Sequence, residues 1–159
     1  MNGSMKIIVG IVVVSLALFM FKNKIGSLDP IAFNGEIYSH VDASKVNNVV
    51  NHFLTPGGLS LSSSTNFLQI TDARHPDLSD RHVDMVRKQL MQTMYLKPVE
   101  GRSGRYFGMF GNGHPIYGLE KDKVFVIHYV TEGFSGDKNA LRAGANTVID
   151  AMDKILIPM

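Results

Sequence analysis

The stretch EIYSHVDASKVNNVVNHFLTP, residues 36–56, decides which fold is expected for the chain. Its first six residues, EIYSHV, alternate in polarity and predict a strand. Beyond them Val46, Val49, Val50, Phe53 and Leu54 recur at three- and four-residue intervals, the spacing of one helical face, and Asp42 stands where an N-cap is wanted. The spacing predicts a helix starting at Asp42 and broken by Pro56, Gly57 and Gly58, followed by a serine-rich, exposed and mobile loop.

Downstream, NFLQIT (66–71) predicts a second strand, and a helix is expected over residues 79–95 with Val83, Val86, Leu90 and Met94 as its buried stripe. After Pro98, turn signals at Gly111, Asn112 and Gly113 and at EKDK divide the chain into three strands, near 105–110, 115–119 and 123–131. VFVIHYV is apolar on both faces and predicts the central strand. A last helix, about 137–156, carries Leu141, Ala145, Val148, Ile149, Met152 and Ile155 at core spacing. The expected fold class is therefore α+β: one small domain over residues 36–159 with a mixed sheet of about five strands and three helices in the order βαβαβββα, preceded by an N-terminal transmembrane helix.

That anchor is the apolar run IIVGIVVVSLALFMF, residues 7–21, flanked by Lys6, Lys22 and Lys24. Its fifteen residues fall short of the ~20 of a comfortable span, and snorkelling lysines extend it. Small residues at leader-peptidase spacing occur only as Ser15 and Ala17, inside the apolar core, so residues 1–24 read as an uncleaved signal-like anchor. The lysines nearly balance across the run; the basic start favours a cytoplasmic amino terminus and a periplasmic domain, single-pass in a bacterial inner membrane. Residues 25–35, IGSLDPIAFNG, read as a short linker.

Two constellations invite chemistry. DARHPDLSDRHVD (72–84) crowds four aspartates and two histidines into one stretch. His75, Asp77 and His82, with His114 on a turn further on, are the candidate acid/base residues, and His75, Asp80 and Asp84 the candidate metal ligands. The blander reading is a helix start: Asp77 or Ser79 caps it, first-turn acids suit its positive end, and Asp84 pairs with Lys88; a partner-binding acidic patch is the third. No zinc spacing such as HExxH occurs, so neither metal nor cofactor is expected. The second constellation, GRSGRYFGMFGNGHPIYG, offers Arg102 and Arg105 to an anion and Phe107, Phe110 and Tyr117 as a protein-binding face, against hairpin turns and close sheet packing. His128, inside the central strand, reads as a core histidine, and His40 and His52, flanking the first expected helix, carry no recognisable spacing.

Composition narrows the classes. Removing Lys6, Lys22 and Lys24 leaves residues 25–159 with a formal charge of −1, without the basic footprint of a nucleic-acid binder. Cysteine is absent, which removes disulfides, thiolate nucleophiles and cysteine-rich zinc sites together. There is no GxSxG elbow, and a nucleophilic triad would have to draw on serines such as Ser62, Ser63 and Ser64. The expected function is a membrane-anchored extracytoplasmic binding or assembly module of a bacterial envelope complex, with membrane contact through residues 7–21 and protein partners that include a second copy of the chain. The rival classes are a metal-dependent or acid/base hydrolase of the envelope, and a phage or plasmid protein modulating envelope passage.

Overall fold

The computed structural model describes residues 25–110, 113–131 and 138–155. Its elements are β1 (Ile31–Phe33), β2 (Glu36–Val46), β3 (Val49–Pro56), a 3-10 turn at Leu61–Ser63, β4 (Asn66–Asp72), α1 (Asp80–Thr93), β5 (Lys97–Pro98), β6 (Arg105–Phe110), β7 (His114–Lys121), β8 (Val124–Val130) and α2 (Lys138–Asp153). All eight strands form one curled sheet in the order β1-β2-β3-β4-β8-β7-β6-β5. Every pairing is antiparallel.

This corrects the expected fold class. The mixed five-stranded sheet with three helices gives way to an eight-stranded antiparallel sheet with two helices among the described residues. The helix expected from Asp42 is instead the second half of β2 and all of β3, joined at Asn47 and Asn48. Both asparagines are left-handed, at φ 48° and 65°, and Val46 pairs directly with Val49. That is the geometry of a two-residue hairpin whose twist matches the strands, and asparagine tolerates it better than any other residue with a Cβ. β-branched valines on both sides suit a pleated surface. The helical spacing is accidental: Phe53 and Leu54 are buried on opposite faces of β3, and Val49 and Val50 are half-buried, so the apolar residues of this strand do not alternate with a period of two.

The same turn closes two more hairpins. Asn34 and Gly35 (φ 52° and 81°) join β1 to β2, and Asp122 and Lys123 (φ 49° and 63°) join β7 to β8. Strand β1 thus lies in the segment expected as a linker. The expected membrane anchor at residues 7–21 lies outside the described residues, as do Gly111 and Asn112 of one expected turn. Among the described residues no helix is long and apolar enough to cross a membrane.

Alternation along the strands builds two cores. Leu68 and Ile70 of β4, Val124 and Val126 of β8, and Tyr117 and Leu119 of β7 face α2, which contributes Ala145, Ile149 and Met152. Phe67, Phe125, Ile127, Tyr129 and Ile116 point to the opposite face, where α1 lays Val83, Val86, Leu90 and Met91. Each fully buried large apolar side chain contributes ~1.5–3 kcal/mol, so both helices are held by area rather than by propensity. Helix α1 is further fixed over β7 by Arg87, whose Nε and Nη2 donate to the two carboxylate oxygens of Glu120 at 2.6 Å each.

The hairpin assignment has a discriminating test. Asn48→Ala places a residue that strongly disfavours left-handed backbone in the turn and should lose ~1–2 kcal/mol in urea unfolding. Were residues 42–54 helical, the same change would stabilise, because alanine is the best helix former.

Candidate functional site

Helix α1 lies over β7 and β8 and leaves the same sheet face open above β2, β3 and β4. The result is a groove of ≈ 690 Å³ between the helix and the β2–β3 hairpin. That volume falls in the range that accepts a small molecule or a short peptide segment. One wall is α1, through His82, Met85, Val86, Gln89 and Thr93; the other is the hairpin tip, Val46 to Val49. Met85 is 57% exposed although it is large and apolar.

The floor is polar within an apolar frame. Phe53 and Leu90 flank a network in which the Thr71 hydroxyl donates to Asn51 Oδ1 at 2.7 Å. Gln69 Nε2 donates to both Thr71 Oγ1 (3.1 Å) and Asn51 Oδ1 (3.3 Å), and the buried Tyr129 hydroxyl donates to Gln69 Oε1 at 3.2 Å. Burial pushes the Tyr129 phenol well above its ordinary value, so it acts only as a neutral donor. The network fixes the Asn51 amide with its oxygen turned inward, and its NH₂ group has no protein partner among the described residues. Among the described residues no lysine or arginine lines the groove, and the one carboxylate is Asp77 at its end. The lining therefore offers hydrogen bonds and apolar contact to a ligand without calling for an anion.

The candidate acid/base residues do not converge. Asp77 and His82 line the groove, but His82 is occupied as a cap: Ser79 Oγ accepts from the His82 backbone N–H at 3.3 Å, and His82 Nδ1 accepts from the Ser79 N–H at 3.4 Å. His75 Nδ1 accepts from the Asp77 N–H at 3.2 Å within the loop before the helix. The acids have cationic partners. Asp80 meets Lys123 at 3.0 Å, Asp84 meets Lys88 at 2.9 Å and Arg87 at 3.0 Å, and Asp72 meets Arg74 at 2.6 Å. Burial alone would raise the Asp72 carboxyl, but the side-chain and backbone hydrogen bonds from Arg74 together outweigh it and hold it below its ordinary value. Among the described residues no three histidines or acids stand close enough to hold a metal together. His114 is buried at the start of β7 rather than presented on a turn.

The second constellation divides between the two sides of the sheet. Arg102 reaches Asp150 and Asn146 of α2 at 2.5 and 3.0 Å, and Arg105 reaches Asp153 at 2.6 Å. Both arginines clamp α2 onto the sheet. Phe107 packs on the buried Tyr117, with ring centroids 5.5 Å apart, on the α2 side; Phe110 packs on Tyr95 at 5.5 Å on the other. The glycines serve close approach: a Cβ on Gly108 would stand 2.7 Å from the Tyr95 carbonyl oxygen, where the end of α1 crosses β6.

One histidine is buried as the sequence led us to expect, and one histidine pair escaped the sequence. His128 is buried on the α2 side, stacked on its cross-strand neighbour Tyr117 and edge-on to Phe33, with Nε2 3.1 Å from Asn66 Oδ1. Tyr38 also donates to that oxygen. Burial pushes the His128 imidazole down to about 4. On the strands that replace the expected helix, His40 Nε2 and His52 Nδ1 stand 3.1 Å apart. Burial lowers both rings below their ordinary value, and each ring is partly supported by a carboxylate, Asp42 for His40 and Asp72 for His52. The signal that could have found the pair is VNNV, read as a hairpin turn. Comparison with protein-family models, with curated proteins and with solved structures finds no match.

The His128 environment sets a pH dependence. The unfolded chain protonates this ring near pH 6.5 and the folded chain only near pH 4, so the stability it contributes is whole above pH 6.5 and is lost as the pH falls toward 4. The loss is on the order of 3 kcal/mol. Urea unfolding between pH 7.5 and 4 should show a shallower decline for His128→Gln than for the unsubstituted protein; parallel declines would place the titration elsewhere.

Proposed function

We propose that the chain is a membrane-tethered binding module of a bacterial envelope complex, held in the inner membrane by a single span at residues 7–21, with its domain on the periplasmic side. The groove between α1 and the β2–β3 hairpin is its recognition surface. The observation that carries this reading is the lining: an apolar frame around a pre-set amide floor, with, among the described residues, no partner for the Asn51 NH₂ group and no lysine or arginine. Such a surface suits an uncharged segment of a protein partner, with apolar side chains for Phe53, Met85 and Leu90 and a main-chain carbonyl for Asn51. The ion-paired carboxylates and the capping role of His82 favour the module over a hydrolase. The tether raises the local concentration of the groove near membrane-bound partners.

Two measurements on the full chain in bacterial cells test this. The protein should stay with membranes after alkaline washing and become protease-sensitive once the outer membrane is opened. A photo-crosslinking residue at Met85 or Gln89 should give one discrete adduct that Asn51→Leu abolishes, whereas positions Arg81 and Lys88 should give none. Release from the membrane would remove the tether, and equal crosslinking from all four positions would remove the groove.

A further inference from the structure

His40 on β2 and His52 on β3 belong to paired strands, and a β-bulge between His40 and Asp42 shifts the register so that the two rings meet diagonally. His40 stands opposite Leu54 and His52 opposite Ala43. Both side chains project from the sheet face opposite the groove, because His52 alternates with Asn51 and Phe53 of the groove floor. Their facing nitrogens, His40 Nε2 and His52 Nδ1, are 3.1 Å apart, with ring centroids at 5.2 Å and planes inclined by 61°.

We propose that this pair is a binding site for one divalent transition-metal ion that favours imidazole, such as zinc, with water completing its shell. Two nitrogens each bonded to one tetrahedral zinc at 2.0–2.1 Å stand about 3.3–3.4 Å apart. With both rings neutral and their hydrogens on the far nitrogens, Nδ1 of His40 and Nε2 of His52, the rings need only turn their lone pairs toward one point and separate by a few tenths of an ångström to hold a metal. Little ordering remains, because His52 is only 8% exposed and both backbones are fixed in the sheet. His40 is half-buried on β2, beyond the Glu36–Tyr38 stretch that β1 pairs, which leaves an approach from solvent. Burial, and for His52 also the neighbouring His40, lowers both rings and favours the neutral form that ligates metal, while Asp42 acts on His40 and Asp72 on His52 in the sense that stabilises positive charge. Neutral imidazole suits zinc, nickel and copper, and the hard ions magnesium and calcium prefer oxygen donors.

Calorimetric titration of the full chain in detergent with zinc chloride, at pH 7.5 in a buffer that does not chelate, tests the site. One ion per chain is expected, with at least ~10-fold weaker binding in His40→Ala and in His52→Ala. His75→Ala and His82→Ala, in the acidic stretch before and within α1, should bind as the unsubstituted protein does. Because His52 is buried, circular dichroism accompanies each titration; should His52→Ala fail to fold, His40→Gln at the half-buried position carries the comparison. Absence of heat with the unsubstituted protein, or undiminished binding in both His40 variants, would overturn the proposal.

Discussion

The pairing of β4 with β8 is the constraint on which the rest of the structure depends. Seven residue pairs, from Asn66↔Val130 to Asp72↔Val124, join strands far apart in sequence. On either side of that seam the chain is local: β1 to β4 is a meander, and β5 to β8 is another. Without the seam each meander would expose half of both cores, since Leu68, Ile70, Val124 and Val126 meet across it on one face and Phe67, Ile127 and Tyr129 on the other. The seam also dictates the path of α1. Strand β4 ends in the middle of the sheet and β5 starts at its far edge, so α1 must cross over β7 and β8, and the opposite half of that face is left open. The groove is therefore a consequence of topology before it is a matter of any side chain.

What was legible in the sequence follows from this arrangement. Helix α1 and strands β6 to β8 could be read because each lies beside strong punctuation: Ser79 as a cap, the glycines around β6, and EKDK as a turn. Helix α2 could be read because one side of it is buried, giving Ala145, Ile149 and Met152 a clean period. The failure lay where a strand carries apolar residues on both faces. In β3 Phe53 and Leu54 are buried on opposite sides beside the half-buried Val49 and Val50, the period of two disappears, and what remains imitates the spacing of a helix. Only the two asparagines distinguish the readings, and a left-handed asparagine pair is a quieter signal than Asn-Gly, which closes the β1–β2 turn.

The misreading of one segment also hid the candidate sites. On a helix His40 and His52 would flank opposite ends, and Asn51 would be one more polar residue on a solvated face. On a hairpin the histidines meet at 3.1 Å and Asn51 joins Gln69 and Thr71 in a single network. Conversely, the stretch that drew attention in the sequence does not gather three of its described histidines and aspartates into one metal-holding group. The aspartates of residues 72–84 carry ion pairs and the rim of the groove, Ser79 and His82 cap the helix, and the solvent-exposed ion pairs add little stability each. A dense run of ionisable residues is conspicuous in one dimension, whereas a groove with Asp77 as its one carboxylate among the described residues is assembled from separate elements and has no linear signature.

Strand β3 connects the two proposed sites without mixing them. Asn51 and Phe53 point to the groove, and His52 between them points to the ring of His40 on the other side. Alternation means that a side chain can be changed on one face with little direct contact on the other, although the backbone is shared. That backbone is the groove wall, since the hairpin tip from Val46 to Val49 lines it and the opposite wall, α1, is already fixed by the Arg87–Glu120 pair. An ion held between β2 and β3 would cross-link the wall that is otherwise secured only by its ladder and its turn. Coupling between the sites would then run through the stiffness of the hairpin rather than through a change of shape, and it would favour a ligand that the groove already fits.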